Sequence, residues 1–179
     1  APAASQGELL LYELTRPRDT LYLTTDRTED AVAEAVENAN APTGSPEIQL
    51  VSGEDPGDSA RRAFRRAFEG MTVIIDPVDS LEDVDRSRYE TMLNELKNHM
   101  ANTDGLAFLH CLKREREPPL RSTTQHMADV VFDLGIEVKS GEIESRLSVL
   151  KYRGGRIPSE AIKLDLAERV RVDTSRDIA

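Results

Sequence analysis

The run Thr72-Val73-Ile74-Ile75-Asp76 limits the possible folds more than any other segment. Four β-branched residues in succession suit a strand. The lack of polar alternation suits a strand covered on both faces, as inside a parallel sheet. Leu21–Thr24, Ile48–Val51 and Gly105–Leu109 read as further short strands, the last of them also buried. Helical segments lie between them. Gly7–Thr15 has helical character, and Arg16-Pro17 ends it, because proline disfavours helix at the residue before it. Thr28-Glu29-Asp30 opens a helix with Ala31, Val32, Ala35, Val36 and Ala39 at helical spacing and acids in the first turn. Asp58 or Ser59 is expected to cap a helix that exposes Arg61, Arg62, Arg65 and Arg66 and buries Ala60, Ala63, Phe64, Ala67 and Phe68. Ser87–Ala101 carries Tyr89, Met92, Leu93, Leu96 and Met100 along one side. Strands alternating with amphipathic helices predict a parallel sheet wrapped by helices.

The pattern changes after the charged loop Lys113–Arg121. A short helix near Thr123–Ala128 leads into Val130–Val138 and Ile143–Lys151, which flank the hairpin turn Lys139-Ser140-Gly141-Glu142. Ile162–Leu166 and Arg169–Asp173 read as a second antiparallel pair. The expectation is therefore an α/β chain of one domain over residues 1–179, mainly parallel and ending in antiparallel strands. No apolar run approaches the length of a membrane span, and no basic-then-apolar leader occurs, so a soluble cytoplasmic protein with no membrane contact is expected. The single Cys111 rules out an internal disulfide framework and reads as a buried or half-buried structural thiol.

Acidic residues outnumber basic ones 33 to 23, for a net charge of −10. Only Lys97, Lys113, Lys139, Lys151 and Lys163 are lysines, so arginine supplies most of the positive charge. Such acidity opposes non-specific binding of nucleic acid and anionic membranes. Acidity with few lysines resembles the composition of proteins from salt-loving organisms, where salt screens the self-repulsion.

In open α/β sheets ligands bind beyond the carboxyl ends of the strands. Three such ends carry polar groups: Thr24-Thr25-Asp26, Asp76 and His110. An aspartate past a buried strand can hold magnesium beside phosphates. Turn formation ahead of Pro77 explains Asp76 equally well. His110 reads as a satisfied structural histidine, and His99 and His126 as surface or capping residues. The three histidines lack metal-ligand spacing, and no Gly-x-Ser-x-Gly elbow occurs.

The series TVIIDPVDSLE, a long helix, GLAFLH, a short helix with HMADVVFDL, and a hairpin ending in LKYRGG resembles the KaiC-like branch of the RecA-type P-loop ATPases. The resemblance covers nearly the whole chain, and Lys151-Tyr152-Arg153-Gly154 is its most specific piece. It implies a RecA-like three-layer fold, with Thr72–Asp76 as the Walker B strand and Asp76 as the magnesium and catalytic carboxylate. It implies ATP with magnesium as the cofactor and a phosphate-sensing place for His110. It also implies that Lys151 and Arg153 reach the nucleotide of a neighbouring subunit in a homo-oligomer. Ala1–Gly7 falls on the phosphate loop, with the strand that feeds it lying ahead of Ala1.

That loop needs G-x-x-x-x-G-K-[ST]: glycines expose N–H groups to phosphate, lysine neutralises it, and the hydroxyl binds magnesium. Here Ser5 stands for the second glycine, Gln6 for the lysine and Gly7 for the hydroxyl residue. Asp26-Arg27 replaces the glutamates that in the family activate water; aspartate is one methylene shorter and arginine has the opposite charge. The leading expectation is a degenerate, haloarchaeal-type RecA/KaiC-like module, acting with a protein partner in regulation, signalling or assembly. One alternative is a working ATPase with an atypical loop, using Asp76 and Asp26 for catalysis and Lys151 with Arg153 in trans. Another is a DNA-recombination accessory that binds through Lys113, Arg114, Arg116 and Arg121. The favoured reading of that loop is a solvated segment of mixed charge, and it lacks the interleaved aromatics that single-strand binding uses.

Overall fold

A computed structural model describes residues 2–139, 142–166 and 171–172. The chain runs α1 (Pro2–Leu14), β1 (Thr20–Thr24), α2 (Glu29–Glu37), β2 (Glu47–Leu50), α3 (Pro56–Phe64) and β3 (Thr72–Asp76). A 3-10 turn at Asp79–Asp83 leads to α4 (Arg86–Asn102), β4 (Leu106–Leu109) and α5 (Arg121–Met127). Strands β5 (Val130–Lys139), β6 (Glu142–Tyr152), β7 (Ile162–Asp165) and β8 (Arg171–Val172) follow. The first four strands form a parallel sheet in the order β2-β1-β3-β4. The last four form a separate antiparallel sheet in the order β5-β6-β7-β8. Ser140-Gly141, and Arg169, Val170 and Asp173 of the expected last strand, lie outside the described residues.

The β-branched run of β3 is buried at every position, as its composition predicts. Successive side chains of a strand point to opposite faces, and the core divides accordingly. Leu21, Leu23, Val73 and Ile75 pack with Ala60, Ala63, Phe64, Tyr89, Met92 and Leu96 of α3 and α4. Tyr22 and Ile74 face the other way, onto Leu11 and Tyr12 of α1 and Val32 and Val36 of α2. Thr28 caps α2, its hydroxyl accepting the Ala31 N–H.

Three expectations need correction. The cap of α3 is Asp55, whose carboxylate accepts the Asp58 N–H; Pro56 then occupies the first helical turn, where its missing N–H costs nothing. The helix ends at Phe64, so Phe68 falls past the helical period and stands 58% exposed. Strand β4 is not buried like β3. It closes one side of the parallel sheet, and Leu106 and Ala107 are exposed on it.

Arg121, expected on a solvated loop, is instead buried at the start of α5. Its Nε donates to both Glu82 carboxylate oxygens at 3.1 and 2.9 Å, and its Nη1 donates to the Leu112 carbonyl at 3.1 Å. Its Nη2 lies 3.0 Å from Asp79. The other Asp79 oxygen accepts the Leu112 N–H at 3.0 Å. Glu82 also accepts the Thr124 hydroxyl, which sits 2.7 Å from that of Tyr89. Burial raises the Glu82 pKa, opposed by Thr124 and Arg121. The cluster ties the segment after β3 to α4 and α5.

Removing one partner of a buried ion cluster leaves uncompensated charge. Arg121→Met should therefore lower the unfolding free energy by about 3–5 kcal/mol, read from urea titrations. The double variant Arg121→Met with Glu82→Gln should recover part of that loss.

Candidate functional site

The site lies at the carboxyl ends of β1, β3 and β4, under the first turns of α1. Asp76 ends β3 on the face that Tyr22 and Ile74 share, so its carboxylate points toward α1. Its side chain is only 3% exposed. Arg27 Nη2 donates to Oδ2 at 2.7 Å, and the Tyr22 hydroxyl donates to the same oxygen. The His110 ring holds Oδ1 through Nδ1 at 2.5 Å. A carboxylate only accepts, so His110 carries its proton on Nδ1 there.

The second shell of contacts comes from α1. Arg27 Nη1 donates to the Tyr12 hydroxyl at 3.1 Å and lies 3.5 Å from Glu8. Gly7 faces the far edge of the imidazole: a Cβ at position 7 would stand 2.8 Å from His110 Nε2. The chain threads from β3 to β4 over the same corner, with Val78 N–H on the His110 carbonyl and His110 N–H on the Ile75 carbonyl.

Electrostatics follow from this packing. Burial works against ionising Asp76, but the hydrogen bonds of His110 and Tyr22 and the charge of Arg27 outweigh it and hold the carboxyl below its ordinary value. Burial, with the Asp76 charge beside it, pushes the Tyr22 phenol far above its usual range. Asp26, exposed at the end of β1, is raised by desolvation and by Asp76, with Arg27 opposing.

The residues named from sequence divide into three groups. Asp76 and His110 meet directly, and Gly7 joins them by contact with the ring. Ser5 and Gln6 lie in the opening turns of α1: the backbone from Pro2 is helical there, where a phosphate-cradling loop was expected. Lys151 and Arg153 sit apart. Lys151 Nζ donates to the carbonyls of Gln125 and His126 at 3.0 and 2.6 Å, closing the C-terminus of α5. Arg153 pairs with Asp129 at 2.9 Å, and Lys97 pairs with the same carboxylate. In the Lys113–Arg121 loop, Lys113 pairs with Asp133 at 2.7 Å and Arg114 lies 3.3 Å from Asp79, while Arg116 is exposed.

The reversed charge of Arg27 is visible in the sequence, but its placement on Asp76 and the parts played by Tyr22, Tyr12 and Glu8 are not. The signal was present in register: Thr24 pairs with Asp76, so the turn after β1 must pass over the acid.

Magnesium fits this arrangement poorly. Both carboxylate oxygens of Asp76 are committed to protein donors, one of them a guanidinium occupying the side from which a cation would approach. Gly7 has no hydroxyl to offer.

Two outcomes test the geometry. Gly7→Ala drives a methyl into a ring that Asp76 prevents from swinging away, so it should destabilise by about 1–3 kcal/mol. His110→Ala should absorb most of that loss in a double-mutant cycle. The second outcome concerns acid. Asp76 is depressed below its unfolded value of about 3.9, so its stabilisation is complete above that pH and disappears as pH falls through the folded value. Asp76→Asn should therefore lower stability at neutral pH and flatten the acid limb of the stability–pH curve.

No curated protein matches the sequence. Among solved structures, a KaiC-like protein from the hyperthermophilic archaeon Pyrococcus horikoshii OT3 matches with a TM-score of 0.64 and 13% identity, over 96% of this chain and 84% of that one. The likeness establishes the fold, a RecA-like α/β arrangement. A family model covers residues 1–179 in full, and the chain accordingly belongs to DUF7125, a family of unknown function.

Proposed function

We propose that this chain is a RecA-like module that does not turn over nucleotide and acts through protein contacts, in regulation, signalling or assembly. The observation that carries the reading is the Arg27 guanidinium on Oδ2 of Asp76. A strand-end carboxylate works with magnesium only while its oxygens can reach a metal. Here a cation of the chain itself is already in place, buttressed by Tyr12 and Glu8. Displacing it would strand Arg27 between two groups chosen to hold it. Gln6 and Gly7 add to this, since neither can supply the charge or the metal ligand that a phosphate loop requires.

Lys151 and Arg153 fit the same reading. Lys151 bonds two α5 carbonyls and Arg153 pairs with Asp129, so a neighbour's nucleotide is not needed to account for them. No described helix is long and apolar enough to cross a membrane. The acidic, lysine-poor composition suits a salt-adapted cytoplasmic chain.

The direct test is calorimetric titration with magnesium–ATP beside a phosphate-release assay, at low and high salt. The expected result is no saturable binding in the micromolar range and no turnover. Micromolar affinity with turnover that Asp76→Asn abolishes would sink the proposal and favour a working ATPase.

A further inference from the structure

Strand register divides the antiparallel sheet into two unlike faces. Ile136, Ser145, Leu164 and Val172 lie opposite one another in a row across β5 to β8. Val138 and Ile143 form the next row towards the hairpin turn. Residues directly opposite, and those two apart along a strand, share a face. These six positions therefore present five apolar side chains and no charge. The charges stand on the other face. There Arg146 pairs with Glu144 at 2.9 Å and lies 3.5 Å from Glu137, while Lys163 pairs with Glu144 at 3.2 Å.

An antiparallel sheet with such a division normally packs its apolar face on a core. Here the outer part of that face stays open, with Val138 72%, Ile143 67% and Val172 62% exposed. None of the five apolar residues belongs to either buried cluster of the parallel half.

We infer that this face is a contact between two copies of the chain, packed sheet on sheet about a twofold axis. Composition and charge choose a second copy as the occupant. Contacts between unlike proteins are about as polar as the rest of the surface, whereas homodimer contacts are more apolar. Among the six positions Ser145 is the one polar side chain, and it is buried. Each chain carries a net charge of −10, so two copies repel wherever their charged surfaces meet. In a chain that is 31% charged, a charge-free face is where they approach at least cost. A twofold axis then sets apolar side chains on apolar ones across aligned sheets.

The open area is small. Three well-exposed side chains and the two beside them offer on the order of a few hundred Å², against about 800 Å² per partner in a standard interface. The dimer is therefore weak and reversible, and salt strengthens it by screening the repulsion between copies. An oligomer built through Lys151 and Arg153, at the other end of β6, would be held by charge and would weaken in salt. The inference is independent of the proposed loss of nucleotide turnover.

Sedimentation equilibrium over micromolar to millimolar protein, in low and in molar salt, tests it. The expected result is a monomer–dimer equilibrium with a Kd of roughly 10–500 µM that tightens about threefold or more in the higher salt. Val138→Glu brings two like charges into the contact and should weaken association about tenfold or more. Its melting temperature should stay nearly unchanged, because the site is exposed in the single chain. Val138→Thr with Ile143→Thr, which keeps β-branched residues in both strands, should weaken association as well. Arg153→Glu should leave it unchanged. A chain that stays monomeric at every concentration and salt would overturn the inference. So would a dimer that Val138→Glu and the double threonine variant leave intact, one that Arg153→Glu abolishes, or one that salt loosens.

Discussion

A carboxylate taken out of water must be met by donors or lose its charge, and Asp76 is met from three directions. Tyr22 comes up from β1, Arg27 from the turn after that strand, and His110 from the end of β4. Each depends on the parallel register, because Thr24 lies opposite Asp76 and Ile75 opposite Leu109. A one-residue slip in either pairing would turn the acid or its partners to the wrong face. The same hub fixes α1, whose Tyr12 and Glu8 close around Arg27 and whose Gly7 admits the imidazole. Packing and charge therefore agree on one position for the helix.

A second buried ion cluster sits on the other side of the sheet and solves a similar problem differently. Asp79 and Glu82 share the guanidinium of Arg121, and Arg114 approaches Asp79 from the loop at 3.3 Å. Burial raises the Glu82 pKa, with the neighbouring Asp79 charge adding to it, and the hydrogen bonds of Thr124 and Arg121 oppose the shift. Thr124 and Tyr89 extend the cluster through hydroxyls instead of through charge. Around Asp76 the balance is tighter, since Arg27 and the protonated Nδ1 of His110 both face the acid. Such self-contained pairing leaves little for an external ligand to complete, which is the physical root of the proposed function.

Much of the fold was legible because it rests on local rules. The β-branched run of β3, the α4 stripe from Tyr89 to Met100, the Thr28 cap and the β5–β6 hairpin each follow from a few adjacent residues. The misreadings came from longer-range effects. Apolar LAFL looks buried in isolation, and only the strand order reveals β4 as an edge. Arg121 looks like one more loop cation until Asp79 and Glu82 fold beneath it, some forty residues earlier in the chain. Asp76 and His110 were identified as strand-end groups, but which partner each would take depends on register and on the path of the turn after β1. The sequence carries no local mark of that path.

The position of α1 links the Asp76 site to the antiparallel sheet. Its first two turns supply Gly7 and Glu8 to the Asp76 site, and its body reaches across to β5. A side chain at position 7 would press against the imidazole, which Asp76 holds from its other edge. A small residue at that position is therefore a packing requirement of the closed site.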